Sequence, residues 1–294
     1  MTSKGCAHKP CRAVRVFAMA LAVSAGVLFF LASSHEAEAL KITLKRIVFE
    51  GPDRTAVLTI INNANEEQVY RLGWRDMRMT EDRSLEPVKE GETIPGTSSA
   101  QDMIRYAPRR IVMAPGAVQQ VRLMLRKPKD LAEGEYRSHF WIQPEAQSAK
   151  FAPLKESEKN PDTPTVQIKM LTGMTLPVFV RHGNLNATAS ITDAQLQKEG
   201  DKLKVSFVLH RDGNRSLYGD VDFVCTGGGK ETIFRQIHGI AVYTEVSKRH
   251  LEFDGPIPEG GAAVCSTMKI TYRADKEDRL FKGASLAEAA VAMK

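Results

Sequence analysis

The sequence predicts an all-β protein built from two antiparallel β-sandwiches. Three observations lead to this fold class. Apolar and polar residues alternate in short runs along most of the chain, Gly, Pro and Asn separate these runs, and no segment after residue 39 has a competing helical period. A chain of 294 residues is also long enough to form two hydrophobic cores.

Residues 1 to 39 are predicted to be an export signal that precedes both sandwiches. Basic residues come before an apolar run from Val16 to Leu31, and Ala37-Glu38-Ala39 has small residues at the two positions that signal peptidase reads. The alternative interpretation is a membrane anchor, because the run approaches the length that crosses a bilayer. We expect cleavage after Ala39.

The charge of the remaining chain argues against a nucleic-acid-binding protein. Of the 41 Lys and Arg and 35 Asp and Glu residues, four and two belong to the signal, so 37 basic and 33 acidic residues remain. These charges are interleaved and form no basic stripe. The pattern indicates an ordinary solvated surface.

The cysteines agree with export. Cys6 and Cys11 leave with the signal, so Cys225 and Cys265 are an even pair in an oxidising compartment. Each lies in or at the end of an apolar run. We expect a disulfide between neighbouring strands, and two buried thiols are the alternative.

Two series of strands are predicted. The first series forms a sandwich of the immunoglobulin-like type. It comprises residues 42 to 50, 55 to 62, 68 to 77, 109 to 113, 118 to 125, 136 to 143 and 166 to 180. The second series forms a second sandwich and comprises residues 185 to 192, 201 to 211, 216 to 225, 231 to 243, 248 to 254 and 262 to 273, followed by an alanine-rich tail that could be a helical turn or an edge strand.

The stretch VQIKMLTGMTLPVFV, residues 166 to 180, alternates for longer than a strand of an ordinary sandwich requires. One face of it carries a mostly apolar row. This row consists of Ile168, Met170, Thr172, Met174 and Leu176, in addition to Val166. Its own core explains part of the row but not its length.

Arg46 is a second anomaly. In ITLKRIVFE it shares one strand face with Ile42, Leu44 and Val48, and a guanidinium in an apolar row is costly unless it is paired. Its partner is either a carboxylate of the same chain or an anion brought by another molecule.

The residues give little support for an enzyme. The histidines after the signal have no metal-ligand spacing, no G-x-S-x-G nucleophile motif occurs, and both remaining cysteines belong to the expected bridge. We therefore expect no catalytic residue, no metal, no cofactor and no small-molecule substrate.

Several segments resemble the periplasmic pilus-assembly chaperones of the chaperone/usher pathway. They are Arg46 to Gly51, Tyr106 to Gly116 with Gln120 to Arg122, and Leu176 to Arg181; His210 to Gly219 and Gly239 to Tyr243 resemble the second domain of one branch. The resemblance covers nearly the whole chain after the signal, in order.

The resemblance implies a periplasmic protein with two immunoglobulin-like domains, residues 40 to 181 and 184 to 294, in an L-shaped arrangement. Such a chaperone lends the last strand of its first domain to a pilus subunit and delivers the subunit to an outer-membrane usher. The row from Ile168 to Leu176 would be the lent face, and the free protein could dimerise through it. A structural or adhesive two-sandwich protein of the cell envelope is the alternative function.

The resemblance also implies that Arg46 anchors the terminal carboxylate of the subunit. Many relatives carry a lysine as a second anchor where this chain has Pro177. Lys169, Arg109 and Arg110 are the candidate substitutes for that lysine, and the departure indicates a less typical branch of the family.

Overall fold

The computed structural model describes residues 40 to 82, 85 to 89, 92 to 145, 171 to 259 and 265 to 293. They form two β-sandwiches, which confirms the predicted all-β fold class. The expected signal and its cleavage site lie outside the described residues. No helix within the described ranges is both long and apolar enough to cross a membrane.

The first sandwich is formed by residues up to and including His182. In chain order its strands are β1 (Leu40–Ile42), β2 (Ile47–Phe49), β3 (Thr55–Asn62), β4 (Gln68–Arg75), β5 (Met77–Arg78), β6 (Glu86–Pro87), β7 (Ile104–Ala107), β8 (Arg110–Met113), β9 (Val118–Leu125), β10 (Gly134–Pro144) and β11 (Met174–His182). One sheet has the order β1-β3-β9-β7, and the other has the order β2-β11-β10-β4-β8.

The first core lies between these two sheets. Alternate residues of β3 and β9, such as Leu58 and Leu123, are fully buried and face Phe140 and Val178 of the other sheet. Each such side chain contributes about 1.5 to 3 kcal/mol when it is buried. The strand pattern therefore places β11 with one face in a well-packed core.

The predicted single strand over residues 42 to 50 is wrong. The chain leaves one sheet after Ile42 and joins the other at Ile47, so β1 pairs with β3 whereas β2 pairs with β11. Consequently Arg46 does not lie in the middle of an apolar row. It lies directly before β2, where the chain changes sheets.

The second sandwich follows from Ala187. Its strands are β12 (Ala187–Glu199), β13 (Lys202–Gly213), β14 (Leu217–Gly227), β15 (Lys230–Val242), β16 (Lys248–Pro256), β17 (Thr267–Ala274) and β18 (Ser285–Ala292). The sheets have the orders β12-β13-β16 and β15-β14-β17-β18. The alanine-rich tail is thus an edge strand, the second of the two predicted alternatives.

The second core contains the predicted disulfide. Cys225 and Cys265 are bonded and fully buried, next to core residues such as Phe223 and Met268. The bridge ties β14 to the segment that leads into β17. It therefore connects the two central strands of the sheet β15-β14-β17-β18 through that segment.

Replacing Cys225 and Cys265 by Ala is expected to lower the free energy of unfolding by about 4 kcal/mol, because the bridge closes a loop of 40 residues in the unfolded chain. Urea unfolding measures this loss. The wild type under reducing conditions is the control that retains both side chains, and an unchanged midpoint after reduction would contradict the prediction.

Candidate functional site

Strand β11 is only partly covered on the side that faces β2. Strand β10 pairs with β11 along the whole length of β11. In contrast, β2 pairs in parallel only with Val178, Phe179 and Val180 of β11. On the β2 side, Met174–Pro177 has no partner strand among the described residues. We call this segment the open edge, and its backbone groups can pair with another strand.

Arg46 lies at the end of the open edge. Ile47 pairs with Val178 in parallel register, so the preceding Arg46 lies beside Pro177. A strand that is added along the open edge in line with β2 would therefore end at Arg46. Pro177 has no backbone N–H, which limits pairing at this end and is typical of edge positions.

The Arg46 guanidinium contacts two groups of the second sandwich. Its Nη2 lies 3.3 Å from Oδ1 of Asp275, and its centre lies 3.9 Å from the centroid of the Tyr218 ring. The side chain is only 10% exposed. The sequence predicted that Arg46 pairs either with a carboxylate of the same chain or with an anion of another molecule. In the structure its partner is a carboxylate of the same chain, Asp275.

Arg46 also lines a small cleft at the junction of the two sandwiches. The cleft has a volume of about 180 Å³. It is lined by Arg46, Val48, Glu50, Arg181, Glu277, Asp278 and Arg279. A carboxylate group fits into this volume next to Arg46.

The predicted strand over residues 166 to 180 begins only at Met174 within the described part of the chain, since residues 171 to 173 form no strand. The predicted apolar row is therefore only partly available. Leu176 is 1% exposed and belongs to the first core, and Met174 is half-buried against the same core. Leu176 therefore cannot be offered to another chain in this arrangement, because it fills the protein's own core. Thr172 is exposed, and Ile168 and Met170 lie outside the described residues.

Two of the three predicted substitutes for the second anchor, Arg109 and Arg110, do not lie near Arg46. Arg110 is on β8, at the opposite edge of a sheet in which β11, β10 and β4 separate it from β2. Four strand spacings amount to roughly 19 Å. Arg109 directly precedes β8, and Arg110 already pairs with Glu145 at 3.1 Å. Arg109 and Arg110 are thus excluded as auxiliary anchors, and Lys169 lies outside the described residues.

A buried ionic cluster joins the two sandwiches at the other end of β11. Arg181 donates to Glu135 at 2.9 Å and to Glu50 at 3.4 Å, and it lies 3.8 Å from Asp278. Arg215 of the second sandwich contacts the same Asp278 at 2.5 Å. No sequence pattern described above predicts this cluster. A signal was present, since Arg181 directly follows the apolar residues of β11.

Asp278 is ionised in this cluster. Burial opposes its charge, but hydrogen bonds from the Phe281 backbone and the charges of Arg215 and Arg181 outweigh that effect and lower its pKa. The two arginines and the surrounding carboxylates therefore neutralise one another away from water.

A second buried ion pair joins the sandwiches. Arg137 of β10 donates two hydrogen bonds to Glu245, at 2.6 and 2.7 Å, and both side chains are nearly inaccessible to solvent. Glu245 also accepts from the Met79 backbone at 2.9 Å. Burial alone would raise the pKa of Glu245, but the hydrogen bonds and charge of Arg137 lower it.

His139 lies beside this pair, and its Nε2 atom has no hydrogen-bond partner in the described part of the chain. Its side chain is buried at the junction, 6.2 Å from the Tyr243 ring between ring centroids. Burial, assisted by the charge of Arg137, lowers its pKa to about 3. His139 is therefore neutral in the folded protein at neutral pH.

Within the described ranges, no group of three or more His, Cys, Asp and Glu residues is arranged to hold a metal ion. The candidate site consists instead of the open edge, Arg46 and the cleft. Its chemistry is that of binding an extended chain with an anionic end.

Neither a protein-family model nor a curated protein matches the sequence. Solved structures that resemble the chain include the CupB2 chaperone of Pseudomonas aeruginosa, with 11% identity over 86% of this chain and all of the other, and a TM-score of 0.41. The class 5 fimbriae chaperone CfaA has 10% identity over 87% and 99% of the two chains, and a TM-score of 0.40.

A third resemblance is to the complex of the SafA pilin with the SafB chaperone of Salmonella enterica. The identity is 12% over 86% of this chain and 95% of the other, with a TM-score of 0.38. Because these identities and scores are low, the function of this chain has to be inferred from its own residues.

Replacing Arg137 by Ala is expected to lower the free energy of unfolding by about 3 to 5 kcal/mol, since it leaves Glu245 charged and buried without its partner. Chemical denaturation measures the loss. The matched control is Arg110→Ala, which breaks an exposed pair and should cost no more than about 1 kcal/mol. Equal losses in the two variants would contradict the prediction.

His139 is expected to make stability depend on pH. As the pH falls from 6.5 toward 3, the unfolded chain binds a proton that the folded protein excludes. The free energy of unfolding should therefore decrease by about 1.4 kcal/mol for each pH unit, and the stabilisation is fully present above pH 6.5.

Denaturant unfolding between pH 6.5 and 5.5 tests this, because carboxylates with ordinary pKa values of 4.5 for Glu and 3.8 for Asp titrate mainly below that range. His139→Leu should flatten the decrease, whereas His250→Gln, which changes an exposed histidine, should retain it. The same slope in His139→Leu as in the wild type would exclude His139 as the cause.

Proposed function

We propose that this protein is a periplasmic chaperone that binds pilus subunits by lending them a β-strand and delivers them to an outer-membrane usher. In this proposal residues 1 to 39 are removed on export. Residues 40 to 181 form the domain with the lent strand, and residues 184 to 294 form the second domain. The activity is binding, without a catalytic step.

The observation that carries the proposal is the open edge, which ends at Arg46. A strand added beside Met174–Pro177 can run parallel or antiparallel to β11. In the parallel direction its carboxyl end meets the Arg46 guanidinium, whereas in the antiparallel direction a positive amino end would meet the same charge. Electrostatics therefore favours a parallel strand that ends in a free carboxylate.

The apolar row supports the same proposal. Met174 and Leu176 pack in the first core. By its alternation the row continues through Thr172 to Met170 and Ile168, beyond the open edge. A subunit that lacks a strand exposes an unfilled core and an unpaired sheet edge. The side chains of Ile168 and Met170 would fill such a core, at roughly 1.5 to 3 kcal/mol each before the cost of association.

Apolar side chains that a subunit would cover also promote contact between two copies of the free chaperone. We therefore propose a self-dimer in the absence of subunits, which subunit binding replaces. Sedimentation of the free protein measures its oligomeric state and tests this self-dimer.

Replacing Arg46 by Ala is expected to weaken subunit capture by about 2 kcal/mol or more, which is roughly 30-fold, because the terminal carboxylate loses its counter-charge. The measurement is co-expression with the pilus subunits encoded beside this protein, followed by size-exclusion chromatography and titration of the complex. The control is Arg109→Ala, which removes an arginine across the sheet. Equal capture by both variants would contradict the anchoring role.

Replacing both Ile168 and Met170 by Asp is expected to abolish the complex, since charges cannot enter the apolar groove of a subunit. Gln167→Asp adds a charge to the opposite face of the same segment and should bind normally. Circular dichroism checks that each free variant is folded.

An unfolded double variant would assign Ile168 and Met170 to the protein's own core instead. If no subunit binds the wild type and the protein forms stable assemblies by itself, the adhesive or structural function replaces the proposed one.

A further inference from the structure

The contact between Arg46 and Asp275 has the geometry of a weak, replaceable pair. One nitrogen of Arg46 and one oxygen of Asp275 lie 3.3 Å apart. A guanidinium that binds a carboxylate bidentately makes two hydrogen bonds of about 2.7 to 2.9 Å. Among the described residues this 3.3 Å ion pair is not accompanied by a hydrogen bond between the two side chains. Arg46 therefore has donor capacity that Asp275 does not use.

Asp275 is nevertheless held firmly in place. Its Oδ1 accepts a hydrogen bond from the Glu277 backbone at 2.8 Å, and its own N–H donates to the carbonyl of Tyr218 at 3.1 Å. Tyr218 is also the ring on which Arg46 lies. The second sandwich thus holds a carboxylate and an aromatic ring at fixed positions beside Arg46.

We propose that Asp275 is a specificity-determining residue. Its carboxylate pairs with the Arg46 guanidinium until another carboxylate, which approaches along the open edge, takes the place of Asp275 in this pair. This inference rests on the proposed function. A free anion gains only the charge interaction and has to compete with a preorganised carboxylate. A strand that pairs with the open edge gains backbone hydrogen bonds as well, so only an aligned chain terminus displaces Asp275.

Asp275→Asn is the variant that tests the proposal. The amide retains the Oδ1 atom that accepts from Glu277, so the turn is preserved, but it removes the charge. The matched control is Glu277→Gln, because Glu277 lines the same cleft without a described contact to the Arg46 side chain. Both substitutions remove one negative charge near Arg46, so an effect of net charge alone would appear in both variants.

The first measurement uses sodium acetate and the Nε–Hε NMR signal of Arg46 at constant ionic strength, assigned with Arg46→Lys. In Asp275→Asn the signal should shift saturably with acetate. In the wild type and in Glu277→Gln it should stay nearly constant. The same response in all three proteins would overturn the inference without reference to any subunit.

The second measurement uses pilus subunits encoded beside this protein and synthetic peptides with their terminal sequence. Asp275→Asn should bind the subunits and the free-acid peptides about threefold to tenfold more tightly than the wild type, and amidated peptides equally. A merely structural role of Asp275 would not distinguish the two peptide forms. If the wild type captures subunits and Asp275→Asn binds them no more tightly, this inference fails and the proposed function stands. If neither captures any subunit, the proposed function fails and the inference fails with it.

Discussion

The arrangement of the two sandwiches depends on the buried guanidinium of Arg181. On β11 it lies opposite Glu135 of β10, and on its other side it reaches Glu50, directly after β2. The side chain is only 5% exposed. Such a charge is tolerated inside a protein only where carboxylates surround it, and Asp278 of the second sandwich completes the set. Charge neutralisation therefore fixes which faces of the two sandwiches meet.

The same strand connects this junction to the candidate site. Leu176 and Val178 of β11 are in the first core, Phe179 packs in a small apolar cluster with Tyr243 of the second sandwich, and Met174–Pro177 forms the open edge. Because three sets of contacts hold one strand, the open edge is positioned before any partner arrives. A preorganised edge reduces the entropy that binding would otherwise cost.

The local pattern predicted many strands well. Residues 55 to 62 and 118 to 125 coincide with β3 and β9, since their alternation of buried and outward side chains is regular. The local pattern failed over residues 42 to 50, because the alternation there is continuous although the chain passes from one sheet to the other. It also missed Ile104–Ala107, a short strand with a charged residue in its middle. Neither feature is encoded in the spacing of neighbouring residues.

The sequence by itself determined the all-β class and the even cysteine pair, which forms a disulfide. Only the tertiary structure decided that Leu176 is kept for the protein's own core, that Arg109 and Arg110 lie across the sheet, and that Asp275 faces Arg46. The physical reason is the range of each effect. Strand periodicity acts between neighbouring residues, whereas ion pairing depends on distance in space, which only the packing of two sandwiches sets.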